Sequence, residues 1–288
     1  MTAGVDGSRM RLGINTMAWG AEVSPETLTR FEELRSLGYG AVELPILAPD
    51  TIDTADVRAA AEQSELALTA STALPDGASL VDPAGVPAGL AFLRECIAAC
   101  EAIGATVLCG PLYAPVGQHR HAPTDAERET CVAALRELAP EARRAGVRLA
   151  VEPLNRFETG FLNTLADGVD LVRRVDHPTV GLLSDTFHQN IEERDPVAAL
   201  RSALPHVAHV HFSGNDRGPV GTGHIPWRAL AGTLTAGGYD GIVTFETFAG
   251  HIPQLAQATA IWRPLHASPE DYARDSIAAA RPWFPVTG

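Results

Sequence analysis

The chain has 288 residues, 45% of them hydrophobic, and a formal net charge of −13 at pH 7. Such an acidic balance, with no Lys/Arg cluster beyond pairs such as Arg143-Arg144 and Arg173-Arg174, excludes a nucleic-acid grip that works by displacing counterions from phosphates. No apolar run reaches the ~20 residues of a membrane span and no basic-then-apolar stretch opens the chain, so a soluble cytoplasmic protein with no membrane contact is expected.

Residues 1–10 are small and polar and are expected to form a disordered N-terminal tail. From there a rhythm of short apolar run, break, amphipathic stretch and turn residue repeats eight times. Strands are expected at 12–15, 41–46, 66–71, 106–109, 148–152, 180–185, 208–212 and 242–246. Between them, Ser24-Pro25-Glu26 places a capping residue before a first-turn proline, and Gly38 closes that helix. A helix over 83–103 carries Cys96 and Cys100 one turn apart. These two, with Cys109 and Cys131, lack paired zinc spacing and are expected as core thiols. Thr124-Asp-Ala-Glu127 has the capping-box pattern for a helix ending near Arg143-Arg144 and Gly146. Further helices are expected at 165–175, 196–204, 226–236 and 253–262, with an extra C-terminal helix at 269–280. No Ser/Gly-rich tract interrupts 11–288, so these residues are expected to form one domain. Eight strand-helix units predict an α/β fold, a parallel (β/α)8 TIM barrel. An open doubly wound sheet competes, but no Gly-rich dinucleotide loop follows the first strand.

A barrel of this kind places its chemistry at the carboxyl ends of the strands. Alternation turns Ala150 and Glu152 inward, with Leu149 and Val151 facing the helices; it likewise turns His209 and His211, and Thr244 and Glu246, inward. Asp185 ends the sixth run and His188 follows it. The alternative for this stretch is an Asp that caps the next helix and a surface His. Glu152, Asp185, His211 and Glu246, from four successive strands, form a mixed oxygen and nitrogen set suited to Mn²⁺, Mg²⁺ or Co²⁺. Three carboxylates so close would repel one another without a cation. The chemistry offered is removal and return of a proton next to a carbonyl, with Glu152 and Glu246 acting from strands three apart, hence from opposite faces.

Several segments together carry a resemblance. They are Val151-Glu-Pro-Leu-Asn-Arg-Phe-Glu158, Asp185-Thr-Phe-His-Gln-Asn-Ile-Glu-Glu193, His209-Val-His211 with Arg217, Gly221-Thr-Gly-His-Ile-Pro-Trp227, and Phe245-Glu-Thr-Phe248 followed by Ile261-Trp-Arg263. From about residue 147 to 263 the chain resembles the sugar isomerase/epimerase barrels related to xylose isomerase. Within these it is most similar to the ketose 3-epimerases acting on D-tagatose, D-allulose or L-ribulose. The resemblance implies epimerisation at carbon 3 through a cis-enediolate, one divalent ion (Mn²⁺ first, with Co²⁺ or Mg²⁺ also suited), and a dimer or tetramer. It implies that Glu152, Asp185, His211 and Glu246 bind the ion, that Glu152 and Glu246 double as acid and base, and that Glu158, His188 and Arg217 hold the sugar oxygens around carbons 1 to 3. Taken alone, Glu158 reads as a solvated loop carboxylate, Arg217 as a surface arginine and His209 as an interior histidine.

Three departures from the epimerase pattern bear on the sugar. Thr222 stands where several relatives have Glu, Thr247 where they have Pro, and the loop from Gly110 to His121 does not match. That loop, with Trp19 and Ala48-Pro-Asp50, is expected at the distal end of the substrate, and His119 and His121 read as loop histidines. Trp283 and Phe284 are expected as exposed contacts between copies. Competing readings are the barrel subunit of a C-glycoside deglycosidase acting on 3-oxo-glycosides, a keto-inositol isomerase or dehydratase, and a non-catalytic sugar-binding barrel; a three-zinc repair endonuclease barrel needs several further His/Asp/Glu ligands and a basic groove, and neither is evident.

Overall fold

Strands with both faces covered read as near-continuous apolar runs, and eight of these close on themselves. The computed structural model describes residues 10–284. Its strands are β1 (Arg11–Asn15), β2 (Ala41–Pro45), β3 (Ala67–Ser71), β4 (Val107–Gly110), β5 (Arg148–Val151), β6 (Val180–Asp185), β7 (Val207–Phe212) and β8 (Ile242–Phe245). They pair in sequence order, and β8 pairs in parallel with β1 to close the barrel. The expected α/β (β/α)8 barrel is therefore found. Of the expected tail, residues 1–9 lie outside the described residues, while Met10 packs partly buried against the core.

The helices are α1 (Pro25–Thr29), α2 (Phe31–Leu37), α3 (Thr54–Gln63), α4 (Val86–Ile103), α5 (Asp125–Arg144), α6 (Leu165–Val175), α7 (Thr186–Glu192), α8 (Pro196–Ala203), α9 (Trp227–Ala236), α10 (Pro253–Thr259) and α11 (Pro269–Ala280). The single helix expected after Ser24 is two segments meeting at Arg30, and Gly38 ends the second in the left-handed region at φ 100°. Reciprocal Thr124 and Glu127 bonds open α5 as expected. The segment expected at 253–262 stops at Thr259, where Ala260 turns to φ 53°. One helix, α3, was not anticipated, and α7 entered only through the alternative in which Asp185 caps a helix. Only Val57 and Ala61 of α3 are buried, too thin a stripe to register, and α7 is short and polar. The C-terminal α11 buries Tyr272, Ala273 and Ile277, and Tyr39 donates to the Ala273 carbonyl at 2.7 Å.

Register sets the layers inside the barrel. Asn15, Glu43 and Thr69 are partners across β1, β2 and β3, and Asp185, His211 and Thr244 are partners across β6, β7 and β8. A small apolar cluster of Val107, Cys109, Ala150, Leu183 and Ala208 packs separately from the main core, and its Cys109 reaches Glu43. The β6–β7 register shifts at Leu182/Leu183, leaving Ala208 bulged. The bulge crosses Gly181, where an added Cβ would lie 2.8 Å from the Ala208 Cβ, so only glycine admits it.

At the C-terminus the expected exposure is not found: Phe284 is buried and Trp283 half-buried. Trp283 stacks on Trp227 at 6.2 Å, and Phe284, 9% exposed, packs on Phe212 at 5.9 Å. Both are turned back onto the barrel by the end of α11, because burying such side chains is worth about 1.5–3 kcal/mol each. Exposed large apolar residues among those described are Leu47, Val116, Phe157 and Trp262. No helix among the described residues is long and apolar enough to cross a membrane.

Candidate metal centre and active site

Glu152 and Glu246 are the first residues beyond β5 and β8, and each still donates its backbone N–H to the neighbouring strand, to the Gly110 and Phe212 carbonyls. Asp185 ends β6 and His211 lies within β7. The four side chains are buried, at 6%, 6%, 2% and 1% exposure. Ligand atoms of Glu152, Asp185 and His211 fall within 4.8 Å of one another. His211 Nδ1 lies 3.2 Å from Glu246 Oε1 and 3.7 Å from Asp185 Oδ2.

The capping reading of Asp185 holds at one oxygen, and the other oxygen is left open. Oδ1 accepts from the backbone N–H groups of Phe187 and His188 and opens α7. Oδ2 has no hydrogen-bond partner, and neither has His211 Nδ1. Two buried polar atoms left open at one spot call for an occupant.

What orients His211 is Glu43, which sequence reading overlooked. Its fully buried carboxylate sits 2.8 Å from His211 Nε2 through Oε1 and 2.7 Å from His209 Nε2 through Oε2. Asn15, Thr69 and Cys109 donate to the same two oxygens. Burial alone would raise the Glu43 pKa, but His211 and His209 hold it well below the usual carboxylate range. An ionised carboxylate only accepts, so both imidazoles present N–H at Nε2. His211 Nδ1 then faces Asp185 and Glu246. A lone charged residue in the apolar run 41–46 was the available signal.

His188, 3% exposed, accepts the Asn155 backbone N–H at Nδ1 (3.0 Å). Burial drops its pKa to about 3, so it is neutral and carries its proton on Nε2. That Nε2 is 3.4 Å from Arg217 Nη2 and 3.6 Å from Glu152 Oε1. Two donors thus face each other, an arrangement relieved by an oxygen that accepts from both. Arg217 is not a surface arginine: it is 5% exposed, with its guanidinium 3.8 Å from the Phe187 ring centroid and 2.6 Å from Glu246 Oε2. Its backbone is left-handed at φ 65°, held by Thr247, whose hydroxyl donates to the Arg217 carbonyl. Glu158 is half-buried and accepts from Asn155 Nδ2 at 2.7 Å, tying it to the loop that positions His188.

The sequence profile of the xylose isomerase-like TIM barrel matches residues 31–283. The chain belongs to that family. A probable ketose 3-epimerase of Synechocystis sp. is 32% identical over 280 residues, 96% of this chain and 98% of that protein. An L-ribulose 3-epimerase of Mesorhizobium japonicum is 35% identical, covering 89% of this chain and 88% of the relative. The crystal structure of D-allulose 3-epimerase from Methylomonas sp. in complex with D-allulose superposes with a TM-score of 0.88 at 29% identity, over 94% of this chain and 96% of that one.

The structure places three of the residues singled out in the sequence. Thr247 anchors Arg217 where a proline could not donate a hydrogen bond. Thr222 is exposed and closes a turn onto the Pro219 carbonyl. Trp19 is held by Glu270 through Nε1 at 2.7 Å.

The donor set fits a divalent cation. Besides burial, Asp185 and Glu246 raise the Glu152 pKa well above its ordinary value. Burial opposes a proton on His211, but Glu43 and Glu246 outweigh it and lift that pKa as well. Burial would raise Glu246 too, yet His211 and Arg217 lower it. At Glu152 and His211 the surroundings thus favour the protonated form, which a bound cation would displace. With both shifts upward, cation and protons compete, and binding must release protons from Glu152 and His211. Mn²⁺ affinity should therefore increase with pH, by about tenfold per pH unit for each proton displaced, until the raised pKa values are passed. Titration calorimetry in buffers of different ionisation enthalpy reads this directly; pH-independent affinity without proton release would contradict it.

Proposed function

We propose that the protein is a metal-dependent ketose 3-epimerase. The observation carrying this reading is the convergence of two partnerless buried atoms, His211 Nδ1 and Asp185 Oδ2, with Glu152 and Glu246 at the barrel mouth. Glu152, Asp185, His211 and Glu246 would hold one ion, with Mn²⁺ favoured and Co²⁺ or Mg²⁺ also suited to oxygen-rich coordination. When bound, it supplies Lewis acidity that stabilises negative charge developing on the ketose oxygens.

The remaining steps belong to the chain's own side chains. His188 Nε2–H and Arg217 Nη2 donate to one sugar oxygen, filling the place between them, and Glu158 accepts from a hydroxyl. Glu152 takes the carbon-3 proton from one face, and Glu246 returns one to the other, which inverts the centre. Arg217, paired with Glu246, keeps that carboxylate ionised and aimed. The similarity to ketose 3-epimerases over nearly the full length of both proteins supports the substrate class. The β4 loop, expected at the distal end of the substrate, would select the sugar.

Incubation of the Mn²⁺-loaded protein with D-allulose, D-tagatose or L-ribulose in deuterated water should place deuterium at carbon 3 and yield the epimer. Binding without exchange would mark a non-catalytic sugar-binding barrel. Exchange only with 3-oxo-glycosides or keto-inositols would move the assignment to those substrates.

A further inference from the structure

A second set of metal-ligating side chains lies on the β4 loop and the start of α5, sharing no residue with the mouth. His121 Nε2 is 2.9 Å and His119 Nε2 3.4 Å from the same oxygen, Glu127 Oε1. The two imidazoles lie with centroids 4.1 Å apart, and one ligand atom from each of the three residues falls within 4.8 Å of the others. Ligands about 2.0–2.1 Å from a tetrahedral cation stand about 3.3 Å from each other, so only small shifts separate this arrangement from a filled one.

The observation that points to a ligand is His119 itself. It is 9% exposed, yet Nδ1 has no hydrogen-bond partner, and the nearest acceptor to Nε2, Glu127 Oε1 at 3.4 Å, is not aligned for a hydrogen bond. Glu127 is ready for the same purpose. Its Oε2 accepts from the Thr124 N–H and hydroxyl, and these bonds with His121 hold its pKa near about 2, so Oε1 stays an anionic acceptor aimed at the histidines.

The backbone beneath the pair is fixed. Gly160 N–H donates to the His119 carbonyl, and Gly117 N–H to the Glu158 carbonyl. The chains cross so closely that a Cβ on Gly160 would lie 2.3 Å from the His121 carbonyl oxygen. The β4 and β5 loops are thereby locked together before any ion arrives.

We propose that His119, His121 and Glu127 form a second divalent-cation site, of the Zn²⁺ class, with a fourth position open to water. Two imidazoles and one carboxylate select Zn²⁺, Co²⁺ or Ni²⁺ over the Mg²⁺ or Mn²⁺ that an oxygen-rich set favours. Occupancy fastens the β4 loop to α5 and, through Gly117 and Gly160, to the segment carrying Glu158.

The test uses the full chain, stripped with a chelator and titrated with ZnCl2. The His119→Gln/His121→Gln double variant should bind one equivalent fewer than the wild type; equal stoichiometry overturns the site. Wild-type crystals equilibrated with excess ZnCl2 decide the matter even if that variant fails to fold. An anomalous peak at the zinc edge, bonded to both imidazoles and the Glu127 carboxylate, supports the proposal, and a map without a peak there overturns it.

Discussion

Replacing Glu246 by glutamine should lower kcat for epimerisation by about 10²–10⁴-fold, the range associated with losing a general acid or base. The amide keeps the shape of the side chain and still accepts from Arg217, which lies 2.6 Å from Glu246 Oε2, but it can neither take nor return a proton. The variant should also split the reaction in an informative way. The epimer whose carbon-3 hydrogen faces Glu152 should still exchange with deuterated water, while its partner should not, and net inversion should be lost. Glu152→Gln should show the opposite pattern. Proton NMR of each pure epimer reads both outcomes. Near wild-type inversion in either variant would remove that carboxylate from the chemistry.

The second large effect is expected away from the reacting centre. Glu43→Gln leaves the four proposed ligands in place but changes what holds His211. An amide cannot accept at both ends, so its NH2 would confront N–H from His211 or His209, or the donors on Asn15 and Thr69. Loss of an outer partner of a metal-binding histidine typically weakens metal affinity about 10–100-fold, and breaking a buried charged pair costs about 3–5 kcal/mol of stability. Both should appear together, as weaker Mn²⁺ binding by calorimetry and a lower Tm of the metal-free protein. Unchanged affinity would mean that Glu43 is structural only.

The barrel was legible because each strand is an apolar run that ends in a turn or an amphipathic stretch. Strand bounds shifted by at most one residue at each end, and Glu152 and Glu246 fell just beyond their strands. The proposed ligands were legible for the same reason: period-2 alternation puts Glu152, His211 and Glu246 on the inner face, and an acid at the end of an apolar run stands out. Glu43 was not, since it lies within a strand and its partners come from β1, β3, β4 and β7, which no local pattern brings together. Arg217 read as exposed because its burial depends on Phe187, Phe248 and Glu246, all remote from its loop. Trp283 and Phe284 misled through their position near the end of the sequence; their partners Trp227 and Phe212 lie more than fifty residues earlier. His119 carried no sequence signal of its unpartnered nitrogens, because they reflect the packing of two loops.

The central claim is that four side chains from successive strands hold one ion, with a ketose carbon 3 between two of them. Anomalous diffraction from crystals containing Mn²⁺ and a turned-over ketose tests it in one measurement. A single manganese peak at the mouth is expected, bonded to Glu152, Asp185, His211 Nδ1 and Glu246, with carbon 3 flanked by the two glutamates. A peak elsewhere, or a sugar whose carbon 3 faces only one of them, would contradict the account.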